Sequence, residues 1–226
     1  VTSIGSLNES SLHAQIKEWY SKEGDRLEEK VDGSVIDIVR GEVLIEIQTG
    51  NFASIRNKLT KLLHNHKLHL VYPIPERKWI VRISKKGREL AKRRSPKKGK
   101  LLDIFDELIR IPELFNSPNF SFEALLVHVD EHRCDDGKGS WRRKGVSIVD
   151  RLLLDVKESF VFSSAADLLS LFPLRLKNPF TNKDLAVALK ISIAQARRIT
   201  YTLRKIGLIE LVGKQVRSNL YKLVSS

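Results

Sequence analysis

Apolar and polar positions alternate in two rhythms along this chain. SVIDIVR and EVLIEI, on either side of Gly41, are short runs rich in Val and Ile. Such runs bounded by a glycine predict two strands joined by a turn. Behind Asn51, a candidate N-cap, Phe52, Ile55, Leu59, Leu62 and Leu63 recur at helical spacing and predict a helix. Leu12, Ile16 and Trp19 predict another, from an Asn8 cap through Tyr20, and RLEEKV pairs with SVIDIVR across Asp32-Gly33. KLHLVYPI and KWIVRI read as two strands parted by a turn at Pro73–Pro75. LLDIFDELIRIPELF reads as an amphipathic helix ending near Pro112, and FSFEALLVHVDEHRC and VDRLLLDVKESFVF as a long hairpin. Near the C-terminus, Thr181 caps a short helix, NKDLAVALK. A second helix, IAQARRITYTLRKIG, and two strands around Gly213-Lys214 follow. The order predicts an α/β (α+β) fold in which a mixed sheet is flanked by helices.

Three polar residues interrupt the apolar runs: Asp37, Glu46 and Gln48. Strand side chains alternate faces, so Glu46 and Gln48 point one way and Ile45 and Ile47 the other. The turn at Gly41 brings Asp37 back opposite the Glu46 end. An unpaired buried carboxylate costs about 3–5 kcal/mol, and a divalent cation would offset it. Asp37, Glu46 and the Ile47 carbonyl are oxygen donors suited to Mg²⁺ or Mn²⁺. The competing reading makes Asp37 part of a polar hairpin and Glu46 and Gln48 a solvated strand face. The apolar neighbours Val35, Val39 and Leu44 favour a strand covered on both faces instead.

Asp37, a short gap and then Glu46-Ile47-Gln48 resembles the PD-(D/E)XK nuclease superfamily over about residues 8–83. The order helix, strands, helix, strand is similar as well. The resemblance implies a restriction-endonuclease-like sheet and Mg²⁺- or Mn²⁺-dependent phosphodiester hydrolysis. In it Asp37 and Glu46 hold the metal, Gln48 positions the attacking water, and Glu9 on the first helix steers ion or water. Two positions depart from the pattern: Ile36 stands where the family has proline, and Gln48 where it has lysine. Arg56 or Lys58 on the following helix would supply the missing charge, although a solvated basic face is the preferred reading for both.

Charge adds a partner. The 226 residues carry a net +13, and from Arg77 to Lys100 twelve basic residues face one acid, Glu89. One-sided charge of this density favours nucleic-acid phosphates, with Arg93, Arg94, Lys97 and Lys98 among the expected contacts. In DDGKGSWRRKG, Trp141 beside Arg142 and Arg143 suits base stacking with flanking phosphate contacts, or equally a packing anchor. His64, His66 and His69 lack the cysteines or carboxylates of a metal cluster. No run approaches a membrane span, no secretory leader is visible, and a single cysteine, Cys134, suits a reducing cytoplasm.

Residues 174–224 resemble the winged helix-turn-helix family: helix, turn, helix, β-wing. The resemblance implies DNA binding, with Gln195, Arg197 and Arg198 on the second helix, Gln195 and Arg198 as the base readers, and with Lys214 and Arg217 on the wing holding phosphates. Protein interaction or dimerisation is the other use of such modules. The chain therefore divides into a nuclease-like core with its basic segment (1–100), a middle α+β extension (101–173) and a winged module (174–226). The expected activity is metal-dependent DNA endonuclease. The rival is a non-catalytic DNA-binding regulator on a degenerate nuclease scaffold. RNA as substrate and a homodimer both remain open.

Overall fold

A computed structural model describes residues 10–173 and 176–224. Its centre is a mixed sheet of β1 (Arg26–Val31), β2 (Ser34–Arg40), β3 (Val43–Ile47), β4 (Lys67–Ile83), β6 (Phe120–Asp135) and β7 (Val146–Phe162), in that spatial order. A further strand, β5 (Glu89–Arg94), joins the edge of β4 beyond the end of β3. β3, β4 and β6 run parallel, and the other neighbours antiparallel. Helices flank both faces, so the structure is a mixed α/β fold.

On one face α1 (Ser11–Tyr20) buries Leu12 and Ile16 against Ile38, Ile45, Ile47, Val71 and Leu125. Ser10, not Asn8, caps this helix: its side chain accepts from the His13 N–H. Asn8 and Glu9 lie outside the described residues. The stripe continues from Ile16 to Tyr20 rather than Trp19, which is 51% exposed.

The other face carries α2 (Phe52–Leu62), α3 (Phe105–Leu108) and the flanking 3₁₀ turns Leu101–Ile104 and Pro112–Asn116. The continuous helix expected from Leu101 to near Pro112 is instead a 3₁₀ turn followed by a single α-helical turn, and a second 3₁₀ turn begins at Pro112. Ile104, Phe105, Leu108, Ile111, Leu114 and Phe115 are all buried, more apolar positions than one helical stripe accommodates. Asn51 precedes α2 in a left-handed conformation and makes no side-chain cap. The Phe52 N–H donates instead to Glu107 Oε2 at 2.9 Å.

The turn expected at Pro73–Pro75 is absent, because β4 is one strand of 17 residues, roughly 55 Å long. Proline is tolerated in a strand where its nitrogen faces no partner. Both prolines fall in the gap between β3, which pairs as far as Val71, and β5, which pairs from Trp79. The Pro75 carbonyl points into that gap and accepts from the Gly99 N–H at 3.0 Å. On the other side the pairing with β6 continues, with a register shift between Pro75 and Arg77. The far halves of β4, β6 and β7, with β5, thus form an arm, which α1 meets at its root through Ser11–Asp150 and Gln15–Leu153.

The C-terminal part comprises β8 (Phe180–Thr181), α4 (Asn182–Leu189), α5 (Ile193–Ile206), β9 (Ile209–Gln215) and β10 (Ser218–Leu223), the three strands forming a second small sheet. Thr181 caps α4 as expected. The β9–β10 turn falls at Val216-Arg217 rather than Gly213-Lys214. Gly213 sits instead where the β9–β10 register shifts, a place that favours glycine. Phe180, Leu185, Ile199 and Leu203 join the apolar cluster of the second face, so this part packs on the main body. No helix among the described residues is long and apolar enough to cross a membrane.

One buried network fixes the C-terminal end of α1. Glu123 accepts from Tyr20 Oη at 2.6 Å, His69 Nε2 at 2.8 Å and Ser159 Oγ at 2.5 Å. Burial pushes its carboxyl up, but these hydrogen bonds outweigh that and hold it down to about 2. A depressed acid stabilises the fold above its ordinary 4.5 and ceases to do so as pH falls through about 2. Glu123→Gln should lower the unfolding free energy at neutral pH by about 2–3 kcal/mol and flatten the acid limb of stability. Urea titrations at several pH values check both.

Candidate functional site

The site lies where two neighbouring strands part. Registered pairs between β2 and β3 run from Arg40–Val43 to Ile38–Ile45 and stop there. Beyond that point Asp37 bridges the gap, its Oδ2 accepting from the Ile47 N–H at 2.7 Å. His13 on α1 approaches the same oxygen, Nε2 to Oδ2 3.2 Å. From α2, Lys58 Nζ donates to Glu46 Oε1 at 2.5 Å and to the Val35 carbonyl at 2.6 Å. Asp37, Glu46, His13 and Lys58 thus converge from four elements at the carboxyl end of a parallel strand. Open α/β sheets place their ligands at such strand ends.

The electrostatics of the two acids diverge. Burial pushes the Asp37 carboxyl up, but the His13 ring and the Ile47 N–H more than offset it and hold it below the usual range. Glu46 is pushed up to about 7 by burial and by the neighbouring Asp37 charge, which Lys58 opposes only in part. Glu46 Oε2 is buried with no hydrogen-bond donor. That orphaned oxygen beside a second carboxylate is the donor chemistry a hard divalent cation takes, most of its shell remaining water. No group of three or more His, Cys, Asp or Glu side chains suited to a metal exists among the described residues.

Other expectations are redistributed. The Gln48 side chain turns away from the acids and donates to the Gly50 carbonyl. Val35, expected under cover, is 56% exposed, whereas Val39 and Leu44 are buried. Arg56 pairs with Glu113 and stays away from Glu46. Glu9 lies outside the described residues. Sequence reasoning ranked Lys58 below a solvated face and did not consider His13. Its signal was position, one residue from Leu12 on a helix that packs on the strand of Asp37.

The basic segment is exposed: Arg93 and Arg94 on β5, then Lys97 and Lys98. Within the arm, Glu131 is fully buried under Lys78, Arg133 and Arg151, at 3.0, 2.6 and 3.0 Å. One acid neutralises one of three cations there. At the tip, Trp141 is 83% exposed with the Arg142 guanidinium 5.5 Å from its ring centre, so it is no packing anchor. Arg143 is half-buried and donates to the Val146 carbonyl.

The C-terminal residues divide. Lys214 and Arg217 on the β9–β10 hairpin and Arg197 on α5 face solvent. Gln195 and Arg198, expected to read bases, turn to the main body: Gln195 Nε2 donates to Asp103 Oδ1 at 3.1 Å and Arg198 Nη1 to Asp106 Oδ1 at 2.9 Å.

Residues 10–163, more than half of the chain, match the family model described as "Domain of unknown function (DUF8091)". The chain belongs to this family. The DUF8091 match ends at the close of β7 and holds the whole Asp37–Glu46 site and the arm. A relative from Treponema pallidum (strain Nichols), described as "Uncharacterized protein", is 32% identical over 221 residues, covering 97% of this chain and 87% of its own length. Its similarity therefore continues beyond the DUF8091 region into the C-terminal helices. No solved structure matches the chain.

An acid with a raised pKa in the fold makes stability fall as pH rises between its unfolded and folded values. Metal-free protein should lose on the order of 2 kcal/mol from Glu46 between pH 4.5 and about 7. Glu46→Gln should remove that decline. The difference between the two stability–pH curves, from denaturant melts in EDTA, measures it.

Proposed function

We propose that this DUF8091 protein is a metal-dependent DNA endonuclease of PD-(D/E)XK type, with a winged-helix module at its C-terminus. The observation that carries the reading is the convergence of Asp37 and the unsatisfied Glu46 carboxylate, with a lysine beside them, at the parting of β2 and β3. The element order α1-β1-β2-β3-α2-β4, with β3 and β4 parallel across α2, supports it.

Asp37 and Glu46 would hold Mg²⁺ or Mn²⁺. Such an ion, when bound, activates water and neutralises charge on the scissile phosphate. The chain's own residues do the rest. His13 and the Ile47 N–H keep Asp37 ionised and fix its direction. Lys58 places an ammonium beside Glu46 and takes over the positive charge that Gln48 lacks. The Gln48 amide donates to the Gly50 carbonyl and ties down the chain leaving β3. Exposed cations of the arm, Arg93 and Arg94 foremost, hold the nucleic-acid backbone.

A second reading draws on the same lysine. Lys58 already neutralises Glu46, as in a degenerate site kept as a scaffold for a DNA-binding regulator. A supercoiled-plasmid assay in Mg²⁺ or Mn²⁺ separates the two. Asp37→Ala and Glu46→Ala should each lower cleavage at least about 100-fold, and Lys58→Met about 10–100-fold, with duplex binding retained. Absence of cleavage by the wild type in either metal, with duplex binding intact, leaves the regulator.

A further inference from the structure

Helix α5 has two polar faces, and one of them is engaged with the main body. On the first, Gln195 and Arg198 are held by Asp103 and Asp106, and Thr202, one turn further, is fully buried. The second follows at spacings of four and three: Arg197, Tyr201, Arg204 and the adjoining Lys205 are all exposed. Lys205 Nζ lies 5.9 Å from the centre of the Tyr201 ring. None of these three cations has an ion-pair partner among the described residues, and α5 contains no acid.

We infer that the outward face, Arg197–Tyr201–Arg204–Lys205, is the duplex-binding surface of this module, and that the inward face of α5 serves as its anchor to the main body. The partner's identity rests on the DNA reading above; the choice of face does not. Three like charges within three turns repel one another, and phosphates at duplex spacing relieve that repulsion. An exposed phenol adds a hydrogen bond of the kind tyrosine gives to a DNA backbone. By contrast, freeing Arg198 and Gln195 for DNA would break their contacts to Asp106 and Asp103 and uncover Thr202. With Gln195 and Arg198 paired to the main body, the cations left unpaired on α5 suit phosphates, so the surface favours duplex of any sequence.

The test is fluorescence anisotropy of the full chain with a labelled duplex of random sequence, titrated over a range of salt in EDTA so that no cleavage intervenes. Arg197→Ala/Arg204→Ala should weaken binding about ten-fold or more and lower the salt slope by about 2, while Arg198→Ala stays within about two-fold of wild type. Unchanged thermal melts by circular dichroism establish that the exposed substitutions leave the fold intact. A loss confined to Arg198→Ala, a loss confined to an Arg93→Ala/Arg94→Ala control on the arm, or no binding by the wild type each overturns the assignment. Plasmid cleavage in Mg²⁺ that persists when binding is indifferent to Arg197 and Arg204 overturns this surface and leaves the nuclease reading standing.

Discussion

The parting of β2 from β3 after the Ile38–Ile45 pair governs the candidate site. A buried backbone donor released from a ladder needs another partner. The Ile47 N–H finds it in the Asp37 carboxylate, and the Val35 carbonyl receives the Lys58 ammonium. The charged side chains thus bridge the gap between the strands. Glu46, on the strand facing that gap, is desolvated beside a like charge and keeps one oxygen without a donor. A fully zipped ladder, continuing this register, would set Asp37 directly opposite Glu46 as a repelling like-charge pair and leave its carboxylate without the Ile47 N–H.

The same sheet solves a second problem by length. β4, β6 and β7 run past the helices, and β5 takes over the edge that β3 leaves. The core half is apolar on both faces; the arm carries cations and two buried acids, Glu131 under three cations and Asp130 paired with Lys92. One continuous set of strands therefore joins the candidate metal site to the basic surface, without a flexible linker between them.

Asp37 and Glu46 were legible because a period of two makes a carboxylate conspicuous among Val, Ile and Leu. Their cation was not. Lys58 lies on a helix whose polar residues read as one solvated face, and only the crossing of α2 over the strands turns this lysine inward. Pro73 and Pro75 read as a turn because a chain pattern does not say which edge of a strand is unpaired. Gln195 and Arg198 read as base contacts because helical periodicity identifies a polar face without saying what lies opposite it. Asp103 and Asp106, more than ninety residues away in sequence, lie opposite it.

These long-range contacts meet at one short element. α3 sends Glu107 to the N-terminus of α2, and the adjoining Asp106 to Arg198 of α5. A carboxylate at a helix N-terminus satisfies a free N–H and complements the helix dipole, so Glu107 replaces the capping that Asn51 does not give. The position of α2 sets the reach of Lys58 to Glu46, and the position of α5 sets which of its faces meets solvent. A four-residue helix therefore fixes both the charge at the candidate site and the orientation of the C-terminal helices. Asp106 and Glu107 can serve two neighbours because consecutive residues on a helical turn point about 100° apart, one toward α5 and the other toward the start of α2.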